Sequence, residues 1–101
     1  MRILYVPEII NDLKDARNWY ESCSNGLGED FIHRTYSLFE ELLLFPERYE
    51  KVYGCFRRAL INRFPYSIYY HFSEDTIVIY GVFHSSRDPV QIIKRLGDRT
   101  I

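Results

Sequence analysis

Seven residues in the second half of the chain carry side chains suited to work on an anionic partner: Arg57, Arg58, Arg63, Tyr66, Tyr70, His84 and Arg87. A guanidinium holds phosphate oxygens in a forked, charge-assisted geometry. An unperturbed histidine titrates near neutral pH, so His84 can give or take a proton there. Tyr66 and Tyr70 offer rings on which a nucleobase could stack. Each also has a plainer reading. Arg57 and Arg58 are neighbours, so in a strand they point to opposite faces and regular pleating puts only one of them on a given surface. His84 closes an apolar stretch and fits a hydrogen-bonded structural histidine. Arg87 beside Asp88 fits a local ion pair. Tyr66, Tyr69, Tyr70 and Tyr80 fit sheet packing.

The charge distribution gives these cations some weight. The net charge is −1 over 101 residues, but the halves differ. Residues 1–50 hold five Lys/Arg against ten Asp/Glu, and residues 51–101 hold eight against four. A basic half points to phosphate, nucleic acid or an acidic peptide as partner. An excess of four is too small for an indiscriminate nucleic-acid binder.

Apolar residues make up 47% and aromatic residues 17% of the chain, enough for a core. The length fits a single domain over residues 1–101. No stretch approaches the roughly 20 apolar residues of a membrane span. The start, MRILYVPE, lacks the long apolar centre and small-residue cleavage site of a secretory signal, so a cytoplasmic location is expected. Cys23 and Cys55 stand alone, without CxxC or metal-ligand spacing. Reduced thiols are expected, and neither a metal nor another cofactor.

The elements that must position the candidate residues follow from periodicity. Residues 2–6 read as a short strand, with Pro7 at the first position of a helix. Ile9, Leu13, Ala16, Tyr20 and Cys23 form one helical stripe, widened by Ile10 and Trp19. Asn25-Gly26 ends that helix. A second begins near Gly28, with Glu29 and Asp30 at its positive end, and stops before Pro46. Trp19, Tyr20 and Tyr36 are read as core. Residues 55–61, 66–72 and 76–84 are rich in β-branched and aromatic residues and read as strands. Ser73-Glu74-Asp75 makes a hairpin turn; pairing Phe72 with Ile77 sets Tyr70 opposite Ile79 and Ile68 opposite Gly81. Gly81 marks a bulge or a close approach. Asp88-Pro89 is a loop signal, and residues 90–96 form a last turn or short helix. The fold class is therefore α+β, in the order β-α-α-β-β-β. A helical hairpin covers one face of a mostly antiparallel sheet, and the other face is left free.

That order resembles the RelE/ParE superfamily. The supporting residues are Asp12-Leu13, Trp19-Tyr20, Gly28 with Phe31, Pro46, Tyr49, Phe56-Arg57-Arg58, the block FPYSIYY at 64–70 and the block VFHSSRDP at 82–89. The resemblance implies the toxin of a type II toxin–antitoxin system, of plasmid-stabilisation type, which arrests bacterial growth until a cognate antitoxin masks it. The antitoxin is expected to be acidic and partly disordered when free, folding as it binds. RelE-like members cut mRNA on the ribosome, and ParE-like members poison DNA gyrase. Both targets stay open here.

Metal-independent RNA cleavage uses the 2′-OH as nucleophile and needs a base, an acid and cations around the phosphate. In that reading His84, Arg58 and Arg87 are catalytic, while Arg57, Arg63, Tyr66 and Tyr70 bind the target. Two departures weigh against it. Lys51 is the only lysine between the second helix and the strands, and no Tyr follows position 80. Gyrase poisoning requires only a contact surface. A third reading is a non-toxic α+β interaction module that binds peptide or nucleic acid through a basic, aromatic sheet face.

Overall fold

In the computed structural model, which describes residues 1–101, eight elements follow one another. They are β1 (Arg2–Tyr5), α1 (Ile9–Cys23), α2 (Leu27–Leu44), β2 (Lys51–Tyr53), β3 (Phe56–Leu60), β4 (Tyr66–Ser73), β5 (Thr76–His84) and α3 (Pro89–Asp98). The strands form one sheet in the order β1-β5-β4-β3-β2. β1 runs parallel to β5, because the helical hairpin carries the chain across the sheet between them. The other pairings are antiparallel. The α+β class and the hairpin on a mostly antiparallel sheet are as the sequence predicts.

α1 and α2 are short-linked and antiparallel because residue types at the turn allow it. The Glu21 carboxylate accepts from the backbone N–H groups of Gly26 (2.9 Å) and Gly28 (3.0 Å), serving donors at the start of α2 that have no helical partner. These bonds, Gly26 first, hold its pKa below the ordinary carboxylate value. Gly28 is buried where the helices touch, and a Cβ there would lie 2.6 Å from the Arg17 carbonyl oxygen. Leu13, Ala16, Phe31, Leu38 and Leu42 pack on Ile68, Tyr70, Ile77 and Ile79 from the sheet. Each large side chain so buried contributes on the order of 1.5–3 kcal/mol.

Several expectations are corrected. Residues 51–53 form a further edge strand, β2, three residues long and weakly patterned. Cys55 lies in the turn before β3 rather than in the strand. Phe72 does pair with Ile77 and Tyr70 with Ile79, but Ile68 faces Val82. Tyr69 pairs with Gly81 and Tyr70 with Ile79, so Tyr80 is the extra residue of a bulge. Gly81 is needed beside that bulge, since a Cβ would fall 2.4 Å from the Phe83 ring.

The largest correction concerns the free face. Asp88-Pro89 is a helix start: the Asp88 side chain accepts from the Val90 N–H at 3.0 Å, and Pro89 takes the first position. The helix α3 runs to Asp98 and lays Ile92 and Leu96 on Tyr69 and Phe83. The face opposite the hairpin is thus partly covered. No helix is long and apolar enough to cross a membrane.

Candidate functional site

Four of the seven singled-out residues come to one end of the sheet, where β4 begins and β5 ends. Tyr66 and His84 are cross-strand partners, with ring centroids 5.2 Å apart and planes at 78°. The Ser85 N–H donates to the Pro65 carbonyl at 2.7 Å and closes this end. His84 is half-buried and held from beyond the strand. The Ser86 N–H donates to its Nδ1 at 3.0 Å, and the Ser86 hydroxyl lies 2.7 Å from the same atom. Nδ1 is thereby an acceptor, and the neutral ring keeps its proton on Nε2.

Arg87 follows in the same turn, its N–H donating to the His84 carbonyl at 3.0 Å. Its guanidinium lies 5.3 Å from the centre of the Phe83 ring, within cation–π range. The plainer expectation for Arg87, a pair with Asp88, does not occur, because the Asp88 side chain caps α3. Tyr66 is half-buried against Tyr20 and Phe31. Burial pushes its hydroxyl pKa up, with Arg87 pulling the other way.

Arg63 sits at the tip of the tight turn that leads into β4. The turn is closed by Ile61 N–H donating to the Tyr66 carbonyl (2.9 Å) and Tyr66 N–H to the Phe64 carbonyl (2.8 Å). Arg63 is exposed and holds φ at 73°, a left-handed conformation that side chains with a Cβ adopt at a cost.

The other three residues are elsewhere. Tyr70 is fully buried beneath the hairpin, where its hydroxyl donates to the Pro46 carbonyl at 2.8 Å. Burial pushes its pKa up to about 12. Arg57 donates to the carbonyls of Tyr49 (2.6 Å) and Glu47 (3.3 Å), fastening the link between α2 and β2. Both side chains thus serve the fold where they lie. Arg58 is exposed on the α3 side, paired in register with Tyr69. Tyr66 belongs to the hairpin side of the sheet, and Tyr69, an odd number of residues on, to the α3 side. The strand pleat thus separates Arg58 from His84.

Trp19, expected in the core, is 62% exposed. It precedes Tyr20, whose ring packs on Tyr66 and Phe64, so it stands at the same end of the sheet as Tyr66. The signal was in the spacing: Trp19 falls outside the run 9, 13, 16, 20. Tyr36 is likewise corrected, at 52% exposed.

Tyr36 marks a second feature, an apolar groove of about 560 Å³ between β1, the start of α1 and α2. Ile3, Tyr5, Ile10, Tyr36, Phe39 and Leu43 line it, with Glu40 on its rim. Ile10 is 74% exposed. Elsewhere, no three His, Cys, Asp or Glu side chains gather in a way that could hold a metal ion.

A family model described as the ParE toxin of the type II toxin-antitoxin system parDE matches residues 3–89. Among solved structures, the chain is similar to one described as the chromosomal ParDE TA system from P. aeruginosa, with a TM-score of 0.71 and 13% sequence identity. That match covers 83% of this chain and 95% of the other. At that identity the likeness concerns the fold. No curated protein sequence matches.

Proposed function

The chain belongs to the ParE toxin family of type II toxin–antitoxin systems, and from that premise we propose that it arrests growth in the bacterial cytoplasm by binding DNA gyrase rather than by cutting RNA. One observation carries this reading: of the three residues read as catalytic, Arg58 stands apart from His84 and Arg87. His84 and Arg58 project from opposite faces of the sheet, and Arg57 is occupied by main-chain carbonyls. A transition state with charge spread over phosphate oxygens needs cations and acid on the same side. Arg63, Tyr66, His84 and Arg87 lie instead at one end of the sheet, and Trp19 is exposed on the helix that packs there, residue types typical of interface hot spots.

The two modes respond differently to mutation. A catalytic His84 predicts that His84→Ala removes activity by orders of magnitude on its own. A contact surface predicts graded loss, with Trp19→Ala and Arg63→Ala each weakening inhibition of gyrase supercoiling in vitro by roughly 5–30-fold. Ribosome-dependent mRNA cleavage is kept as a second reading by a specific observation. The His84 ring stands edge-on to Tyr66, with Arg87 in the following turn.

The family implies an antitoxin, and the apolar groove is the surface that suits it. Its walls are α2 side chains three and four apart (Tyr36, Phe39, Leu43) and the β1 side chains Ile3 and Tyr5. An amphipathic helix of an otherwise disordered acidic partner fits such a groove. Ile10→Glu should abolish co-purification with the antitoxin while the free chain still arrests growth. Unchanged co-purification would remove the groove from this role.

A further inference from the structure

The sheet carries two separate apolar clusters, one on each face, and α3 belongs only to the smaller. The cluster of seventeen under the hairpin includes no residue of α3. The other consists of Tyr69 and Phe83 from the sheet with Ile92 and Leu96 from the helix. Ile92 and Leu96 are four positions apart, so α3 rests on the sheet along one narrow row. Its other apolar residues, Val90 and Ile93, are exposed.

At each end of this helix stands a polar device. The near end is the Asp88 cap, a hydrogen bond to the Val90 N–H made within the segment itself and not to the sheet. Past the far end Arg99 folds inward. Its two terminal nitrogens donate to the two oxygens of Asp12 at 2.6 and 3.0 Å, and one also donates to the Tyr80 carbonyl at 3.0 Å. Its guanidinium lies 4.8 Å from the centre of the Phe83 ring.

We infer that α3 with residues 99–101 is a hinged cover, latched by Arg99 on Asp12, which swings off the sheet while the hairpin core stays folded. The hinge falls at Arg87, between the turn pinned by Ser85 and Ser86 and the Asp88 cap that moves with the helix. The latch is finely balanced because a buried ion pair exchanges the hydration of both ions for their mutual attraction, with little net gain. Opening parts the two ions, leaves Asp12 on the Val82 N–H, and uncovers Tyr69 and Phe83 of the sheet together with Ile92 and Leu96 of the helix. These rings lie between Arg58, exposed beside Tyr69, and Arg87, over Phe83. The open state thus presents an aromatic strip edged by cations that the closed state hides. The inference stands on the two-cluster architecture and does not depend on the toxin's target.

Native-state hydrogen exchange on the isolated chain tests it. Amides of residues 92–96 should exchange about a hundredfold faster than those of residues 77–82, through an opening that leaves β5 protected. Arg99→Met should speed α3 by a further factor of about ten and leave β5 unchanged. Exchange of α3 and β5 at the same rate in the unmodified chain would overturn the inference. So would an Arg99→Met effect of equal size on both.

Discussion

Arg99 and Asp12 are 87 positions apart in the chain and meet as a forked ion pair on the outer edge of β5. β1 pairs with β5 only as far as Ile79. Beyond that the edge of β5 would be bare, and the two side chains stand in for a strand: Asp12 accepts from the Val82 N–H at 3.1 Å, and Arg99 donates to the Tyr80 carbonyl. A polar pair thus continues the sheet past its bulge and joins α1, β5 and the segment after α3.

Breaking a buried ion pair from one side commonly costs about 3–5 kcal/mol, because the remaining charge stays trapped away from water. Arg99→Met should cost clearly less than that in global stability. The cover can lift and let water reach Asp12. Urea unfolding followed by Trp19 fluorescence measures it; a loss in the full range would mean that the segment cannot move independently.

Arg63 separates stability from function. Glycine takes a φ of 73° without steric cost, so Arg63→Gly should leave stability unchanged or raise it by up to about 1 kcal/mol. The same change should relieve growth arrest, because the guanidinium is removed. Arrest at the unmodified level by a stable Arg63→Gly chain would exclude Arg63 from the contact surface.

Tyr70 links burial to alkaline stability. Its folded pKa of about 12 lies above the ordinary 10.0, so the fold favours the neutral phenol. The associated stability is intact below pH 10 and is lost as pH rises from 10 towards 12. Tyr70→Phe should make that alkaline fall shallower. At neutral pH it should cost about 1–3 kcal/mol, since the Pro46 carbonyl loses its donor. Denaturant midpoints at neutral and alkaline pH read both effects, and gyrase inhibition should persist in the variant.

Glu21 and Gly28 govern the joint between the helices. Gly28→Ala must push the Arg17 carbonyl away and should cost about 1–3 kcal/mol. The lowered pKa of Glu21 means its contribution is present above the ordinary carboxylate pKa and is lost as pH falls through the folded value. Glu21→Gln should therefore lower thermal stability at neutral pH and flatten its decline in acid. Parallel melting curves for the two chains from neutral to acid pH would contradict the assignment.

Much of the architecture was legible because it rests on local rules. The stripe Leu13, Ala16, Tyr20 and the alternating residues of β4 and β5 identify the hairpin and the sheet from spacing alone. What could not be read depends on distant partners. Arg99 carries no local signal, and its role exists only because the fold brings Asp12 to β5. The bulge at Tyr80 moved Ile68 from Gly81 to Val82, a one-residue shift that pattern does not resolve. Residue type alone left Tyr70 and Arg57 open between packing and surface chemistry; the burial of one and the main-chain carbonyls around the other are set by distant partners. Residues 90–96 read as a turn or short helix, and no local pattern names the face that α3 covers.

The central claim is the target. Expressing the chain in bacteria from a tight inducible promoter, and mapping gyrase–DNA cleavage complexes and mRNA 5′ ends in the arrested cells, tests it most directly. The account predicts growth arrest with stabilised gyrase breaks and no new 5′ ends inside codons. New intracodon ends without gyrase breaks would contradict it and make His84 the first residue to examine as a catalyst.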